Sequence, residues 1–93
     1  MQKAMTTIDP LLQDILSQSG AIVMEEFADA LVGHSVGTTP RAIYDVEKMI
    51  GVLQDREKWT EEECWEWLEY NTFPTFHPNM SKNAPIFLYP FKN

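Results

Sequence analysis

The stretch RAIYDVEKMIGVLQDR, residues 41–56, decides the fold because its pattern changes from that of a strand to that of a helix. Residues 41–44 alternate in part between polar and apolar side chains, as a half-buried strand does. Asp45 is a good N-cap for a helix over residues 45–56. We expect Gly51 to allow a close packing contact within this helix. The apolar positions follow helical spacing and predict one buried stripe: Val46, Met49, Ile50 and Leu53.

A second helix is predicted over residues 60–71, TEEECWEWLEYN. Thr60 and Glu63 have the spacing of a capping box, so each can accept a hydrogen bond from the other's backbone N–H. Asn71 is a plausible left-handed end of the helix. Trp65 lies on a flank between the two faces. Helical periodicity places Thr60, Cys64, Trp67, Leu68 and Asn71 on an inner face, and Glu62, Glu66 and Glu69 on the opposite face.

The residues before position 41 are expected to add two helices and the other strand of a hairpin. The turn-forming stretch 34–40 favours a hairpin between residues 31–35 and 41–44. Residues 21–29 read as helical, and Asp9-Pro10 begins another helix that ends before Gly20. That N-terminal helix is too short to be stable alone, so its apolar face must pack on this chain or on another copy. The face consists of Leu11, Leu12, Ile15 and Leu16.

These elements predict one α+β domain over residues 1–93. It is mainly helical, with a small antiparallel sheet made from the hairpin and a C-terminal strand over residues 86–89. Two helices cover the sheet, and residues 9–20 form an N-terminal helical arm. Residues 72–84 are expected to form a loop, and residues 1–8 to be frayed. An apolar content of 44% is ordinary for a globular domain of this size.

The charge and the cysteine content narrow the class of partner and the compartment. The net charge is −7, so nucleic acid and anionic membranes are poor direct partners. The charge is compatible with a basic protein surface as partner, and equally with a role in solubility alone. Cys64 is the single cysteine, which fits a reducing cytoplasm. The first ten residues have no apolar run after Lys3, and no apolar stretch reaches the length of a membrane span. We therefore expect neither a signal peptide nor a membrane anchor.

Four short motifs stand out along the chain: Val32-Gly33, Tyr44-Asp45, Tyr70-Asn71 and Pro85-Ile86-Phe87. Together they resemble the pattern of a family of small uncharacterised proteins encoded by tailed bacteriophages, and the similarity covers roughly residues 27–89. The resemblance implies a bacterial or phage protein of the host cytoplasm, with no known activity. The loop after Tyr70-Asn71 is longer and more aromatic here than the family pattern, so no loop function carries over.

The sequence gives little reason to expect catalysis, a metal or a cofactor. The soft metal ligands His34, Cys64 and His77 have no recognised metal-binding spacing. A thiol nucleophile at Cys64 would be surrounded by Glu61, Glu62 and Glu63, which raise a thiol pKa. The glutamate pairs on the helix back would be solvated rather than perturbed. We expect no metal, no cofactor and no enzyme, and a small enzyme that uses Cys64 or the glutamates is the less favoured alternative.

We expect instead a small acidic accessory protein that binds and modulates a bacterial host protein. The candidate partner-binding residues are Glu62, Trp65, Glu66, Glu69, Phe73 and Phe76, with the aromatic ones as exposed anchors. One alternative is a structural protein that self-assembles through the apolar face of the N-terminal helix. A narrower alternative is nucleic-acid mimicry, since residues 57–69 hold six glutamates and one lysine. A solvated helix back would give the same charge pattern.

Overall fold

The computed structural model describes residues 10–76 and 82–91, and in them it has the predicted α+β class. Three α-helices surround a three-stranded sheet, and a short 3₁₀ segment precedes the first strand. In chain order the elements are α1 (Pro10–Ser19), the 3₁₀ segment (Glu25–Ala30), β1 (Leu31–His34), β2 (Ala42–Asp45), α2 (Val46–Glu57), α3 (Glu61–Asn71) and β3 (Ile86–Leu88).

The sheet has the order β1-β2-β3 and is mixed rather than antiparallel. β1 and β2 form the predicted hairpin, with Leu31 opposite Tyr44 and an irregular register between Leu31 and Gly33. β3 runs parallel to β2, so the predicted antiparallel direction of this strand was wrong. A parallel partner needs a long crossover, which here consists of α2, α3 and the loop after them. The crossover returns the chain to the end of the sheet where β2 begins.

The hydrophobic core lies between β2 and the two helices that follow it. The predicted stripe of α2 is buried throughout: Val46, Met49, Ile50 and Leu53. Cys64 and Leu68 of α3 are fully buried against it, as is Phe27 of the 3₁₀ segment. α1 contacts β1 and places Leu16, which is 2% exposed, in the same core. The most N-terminal helix is therefore part of the domain packing.

The helix predicted over residues 21–29 is confirmed only in part, since the helical segment is a 3₁₀ helix that begins at Glu25 and ends at Ala30. The chain is extended at Met24, and Phe27 has non-helical angles (φ −116°, ψ 29°) inside the 3₁₀ segment. Met24 N–H donates to the Tyr44 hydroxyl at 2.7 Å, and Ile22 N–H donates to the Asn83 carbonyl at 3.0 Å. The Tyr44 hydroxyl and the Asn83 carbonyl accept from these two N–H groups. The segment therefore buries apolar side chains without forming an α-helix.

The observed helix ends agree with those predicted from the sequence at three positions and differ from them at two. Asp45 accepts from Lys48 N–H at 3.2 Å, and Thr60 and Glu63 form the capping box, while Gly20 has φ +77° just after α1. Asn71 is not a left-handed end, since its amide nitrogen donates to the Trp67 carbonyl and the helical conformation continues into Thr72. The left-handed cap belongs to Lys58 (φ 62°), after α2.

Two further expectations concern Gly51 and the chain start. Gly51 is exposed, and a Cβ built on it would meet nothing within 4 Å, so the expected close packing contact does not exist. The predicted fraying of residues 1–8 and the N-cap at Asp9 lie outside the described residues.

Candidate protein-binding site on helix α3

The two tryptophans of α3 lie on opposite flanks of its buried face. Successive residues of an α-helix are rotated by about 100°, so Trp65 and Trp67 point about 160° apart. Cys64 and Leu68 lie between them and face the core. Both tryptophans are half-buried and pack against the core, each at one edge of the helix. The site therefore depends on what covers each flank.

The Trp65 flank is covered by the C-terminal part of the chain. The rings of Trp65 and Tyr89 lie with their centroids 5.8 Å apart. Phe73 packs against Phe87 of β3 at 4.9 Å, and Phe76 is half-buried against the core. Trp65, Phe73 and Phe76 are therefore half-buried and not exposed as predicted. Tyr89 and Phe87 supply the ring partners of Trp65 and Phe73, and a role of these residues in binding stays a prediction. His77 lies outside the described residues.

The Trp67 flank holds an open cleft of about 330 Å³, called the aromatic cleft below. Trp59, which precedes the N-cap of α3, packs on Trp67 with ring centroids 6.3 Å apart and a tilt of 42°. Tyr70 is 80% exposed at the rim. The cleft is lined by Trp59, Glu63, Glu66, Trp67, Tyr70 and Asn71. It combines aromatic faces with carboxylates at the surface of the molecule.

The acidic face of α3 adjoins this cleft through Glu66. Glu62, Glu66 and Glu69 are all exposed, as predicted from their spacing. Among residues 10–76 and 82–91, no ion pair is found for any of these three glutamates. The negative charge of this face is therefore not neutralised by basic groups in the described part of the chain. Such a face attracts cationic groups from solution.

The chemistry at Cys64 is that of a packing residue. Its side chain is fully buried. Burial raises the pKa of the Cys64 thiol, and the nearby Glu63 and Glu61 carboxylates raise it further. Because the thiolate is the reactive form, this environment suppresses nucleophilic attack. Among the described residues, no group of three or more His, Cys, Asp or Glu side chains could hold a metal ion.

A second cavity of about 290 Å³ lies between α1 and β1, and its wall offers few polar groups. Its polar side chains are those of Gln13, Ser17 and Glu25, and the rest of its wall is aliphatic. The Glu25 carboxylate is exposed, so the cavity wall provides no buried acid. The cavity is therefore a weaker candidate for a recognition site than the aromatic cleft.

Sequence reasoning missed Trp59 and Tyr70 and assigned Trp67 to the core. A signal was present, because Glu63, Glu66, Trp67 and Tyr70 have the spacing i, i+3, i+4 and i+7 that marks one helix face. Trp59 stands just before the N-cap, where an apolar residue often packs back onto the helix. Together these two patterns indicate an aromatic pair beside carboxylates.

The comparisons with known proteins add no relative. No family model, curated protein or solved structure matches the chain. In the described residues, no helix has both the length and the apolar character needed to cross a bilayer. The case for function therefore rests on the α3 surface itself.

Proposed function

We propose that this protein is a non-enzymatic binding module that docks the outer surface of α3 on a basic region of a partner protein. The observation that carries the proposal is the aromatic cleft beside carboxylates that have no cationic partner in the described chain. Trp and Tyr are enriched at binding hot spots, and the cleft presents an exposed Tyr70 beside the half-buried Trp59 and Trp67. Carboxylates around them favour a positively charged partner and speed its association.

The same surface argues against the other classes of partner. Nucleic acid and anionic lipid carry the charge sign of α3 and would be repelled. Catalysis by carboxylates requires an acid whose environment holds its proton, whereas Glu62, Glu66 and Glu69 are exposed to water. A protein with basic side chains satisfies both the charge and the aromatic faces.

The proposal includes a bacterial partner, which the protein modulates as a phage-type accessory protein in the host cytoplasm. This part rests on the four motifs that resemble the bacteriophage family. In the fold, Tyr44-Asp45 joins β2 to the N-cap of α2, and Tyr70-Asn71 ends α3. Pro85 is buried and leads into β3. These three motifs thus lie where a helix or strand ends or begins, whereas Val32-Gly33 lies within β1. A mimic of nucleic acid would be the special case in which the partner surface is a nucleic-acid groove.

Self-assembly through α1 has weaker support. Of its apolar face, Leu16 is buried in the core and Leu12 packs partly against it. Ile15 is half-buried, whereas Leu11 is 67% exposed. Most of the face that was expected to bind another copy is therefore already used within the chain.

The proposal is tested by affinity capture in a bacterial host. We would express tagged protein, identify the retained proteins by mass spectrometry, and compare the Glu62→Lys/Glu66→Lys double variant with wild type. The matched control is Glu25→Lys/Asp29→Lys, which changes the net charge equally at exposed positions away from α3. Melting temperatures establish that both variants fold.

The expected result is a bacterial protein that is retained by wild type and by the control but lost from the α3 double variant. If the α3 variant retains the same partner, α3 is not the docking surface. If wild type retains nothing that an unrelated acidic domain does not, the protein-binding function itself is refuted.

A further inference from the structure

We infer that the aromatic cleft is a receptor for one arginine side chain of the partner's basic region. This inference rests on the proposed function and assigns the chemistry of its central contact. Three features of the cleft support it: the arrangement of the rings, the hydrogen-bonding character of the polar groups, and the size.

The rings offer π faces to a cation. Trp59 and Trp67 are tilted by 42° with centroids 6.3 Å apart, so they meet at an angle instead of stacking face to face. Tyr70 stands four-fifths exposed at the rim of the same cleft. A cation within about 6 Å of an aromatic centroid is attracted by the ring quadrupole, and tryptophan is the strongest partner. A neutral aliphatic ligand would gain none of this attraction and would leave the carboxylates unused.

The polar groups of the cleft require a donor. Thr60 N–H donates to Glu63 Oε1 at 2.9 Å, which fixes this carboxylate at the cleft while its remaining lone pairs can still accept. Asn71 uses its amide nitrogen on the Trp67 carbonyl at 3.0 Å, so its side-chain oxygen is the group left to accept. Glu66 adds a second, exposed carboxylate. A guanidinium has five donors and no acceptor, and therefore matches this set.

The size and shape favour one planar side chain. A cleft of about 330 Å³ is at the small end of the range for ligand sites, about 300–1,000 Å³, and cannot hold a folded segment. Arginine is planar, stacks on aromatic faces and binds carboxylates with a fork of donors, whereas lysine presents a compact, strongly hydrated ammonium. The capping box and the ring pair hold the receptor in place before the ligand arrives.

The test uses three short acetylated and amidated peptides, Gly-Arg-Gly, Gly-Lys-Gly and Gly-citrulline-Gly. Citrulline keeps the shape of arginine without its charge. Each is titrated into the ¹⁵N-labelled full-length protein, and the indole N–H resonances of Trp59 and Trp67 are followed by NMR. The arginine peptide should shift both indoles with saturation, the lysine peptide should bind more weakly, and the citrulline peptide should leave them unchanged.

Two variants locate the interaction. Tyr70→Ala and Glu66→Gln should each weaken arginine binding by about two- to fivefold, the range expected for one exposed cation–π or charge contact. Glu25→Gln is the matched control because it removes the same charge at an exposed position away from α3 and the cleft, and it should bind as wild type does. Equal binding of the citrulline and arginine peptides would overturn the inference. So would indole shifts unaffected by Tyr70→Ala and Glu66→Gln.

Failure of this inference can be told apart from failure of the proposed function. A cellular partner that is lost with Glu62→Lys/Glu66→Lys, together with equal binding of the arginine and citrulline peptides, would leave α3 as the docking surface and overturn the arginine receptor. Selective arginine binding without any retained cellular protein would support the receptor and refute the proposed function.

Discussion

Replacing Tyr44 by Phe tests the contact that shapes the chain before β1. The Tyr44 ring is fully buried, and its hydroxyl accepts from Met24 N–H at 2.7 Å. Phe keeps the ring and removes the acceptor, which leaves a buried backbone donor without its partner. An unsatisfied buried donor costs about 1–3 kcal/mol. With about 4–8 °C per kcal/mol for a domain of this size, we expect Tm to fall by roughly 5–20 °C at pH 7.

The same substitution has a signature at alkaline pH. Burial raises the pKa of the Tyr44 phenol above its ordinary value, and the Glu26 carboxylate adds to the rise, while the backbone hydrogen bond at Met24 partly offsets it. Above about pH 10 the unfolded phenol loses its proton first. The unfolded state then binds fewer protons than the native state, so native stability falls as pH rises. The stability that the Tyr44 phenol contributes to the native state is fully present below about pH 10, and the Tyr44→Phe variant lacks it at every pH.

The measurement is urea unfolding of both proteins between pH 7 and pH 11, with Tyr70→Phe as control. Tyr70 is 80% exposed, so loss of its hydroxyl should change stability by less than about 0.5 kcal/mol. The gap between wild type and Tyr44→Phe should narrow above about pH 10, by up to about 1.4 kcal/mol per pH unit. A variant as stable as wild type at pH 7, or a gap that does not narrow, would refute the reasoning.

Two further predictions concern α2 and α3. Gly51→Ala should raise stability by about 1 kcal/mol in urea unfolding, because the position is exposed and helical and the new Cβ meets nothing within 4 Å; a loss of stability would reveal a packing contact at this position. Cys64 should react with a thiol reagent at pH 7 only as fast as the protein opens, because the thiol is buried and its pKa is raised. Rapid stoichiometric labelling of folded protein, at the rate seen in urea, would contradict that assignment.

The parts of the fold that could be predicted are those governed by local sequence. The α2 stripe, the Asp45 cap and the Thr60/Glu63 capping box depend on residues within a few positions of each other, and all three are confirmed. The hairpin lies within one residue of its expected bounds. The prediction of a helix over residues 21–29 did not hold in full, because the groups that decide the conformation come from far along the chain. They are the Tyr44 hydroxyl and the Asn83 carbonyl. No periodicity within the segment contains that information.

The candidate site was predicted in part. The exposure of Glu62, Glu66 and Glu69 is confirmed, because it follows from their spacing on one helix. The role of these residues in binding stays a prediction. The exposure of the aromatic residues was predicted wrongly, because the exposure of a residue on the flank of a helix depends on which distant element packs there. Local spacing shows that Trp65 and Trp67 flank the buried face, but it does not show which of the two is covered.

The direction of β3 decides which of the two tryptophans is covered. The error in the predicted strand direction and the error in the predicted exposure of Trp65 therefore have one cause. In the parallel arrangement Leu88 pairs with Asp45, so Tyr89 follows at the end of the sheet where α2 begins, and there it packs on Trp65. An antiparallel β3 would place Tyr89 at the opposite end, beside the start of β2, and would leave Trp65 uncovered. With the parallel strand, the C-terminal chain covers the Trp65 flank. On the Trp67 flank Trp59 packs on Trp67, and the aromatic cleft remains open beside Glu63 and Glu66.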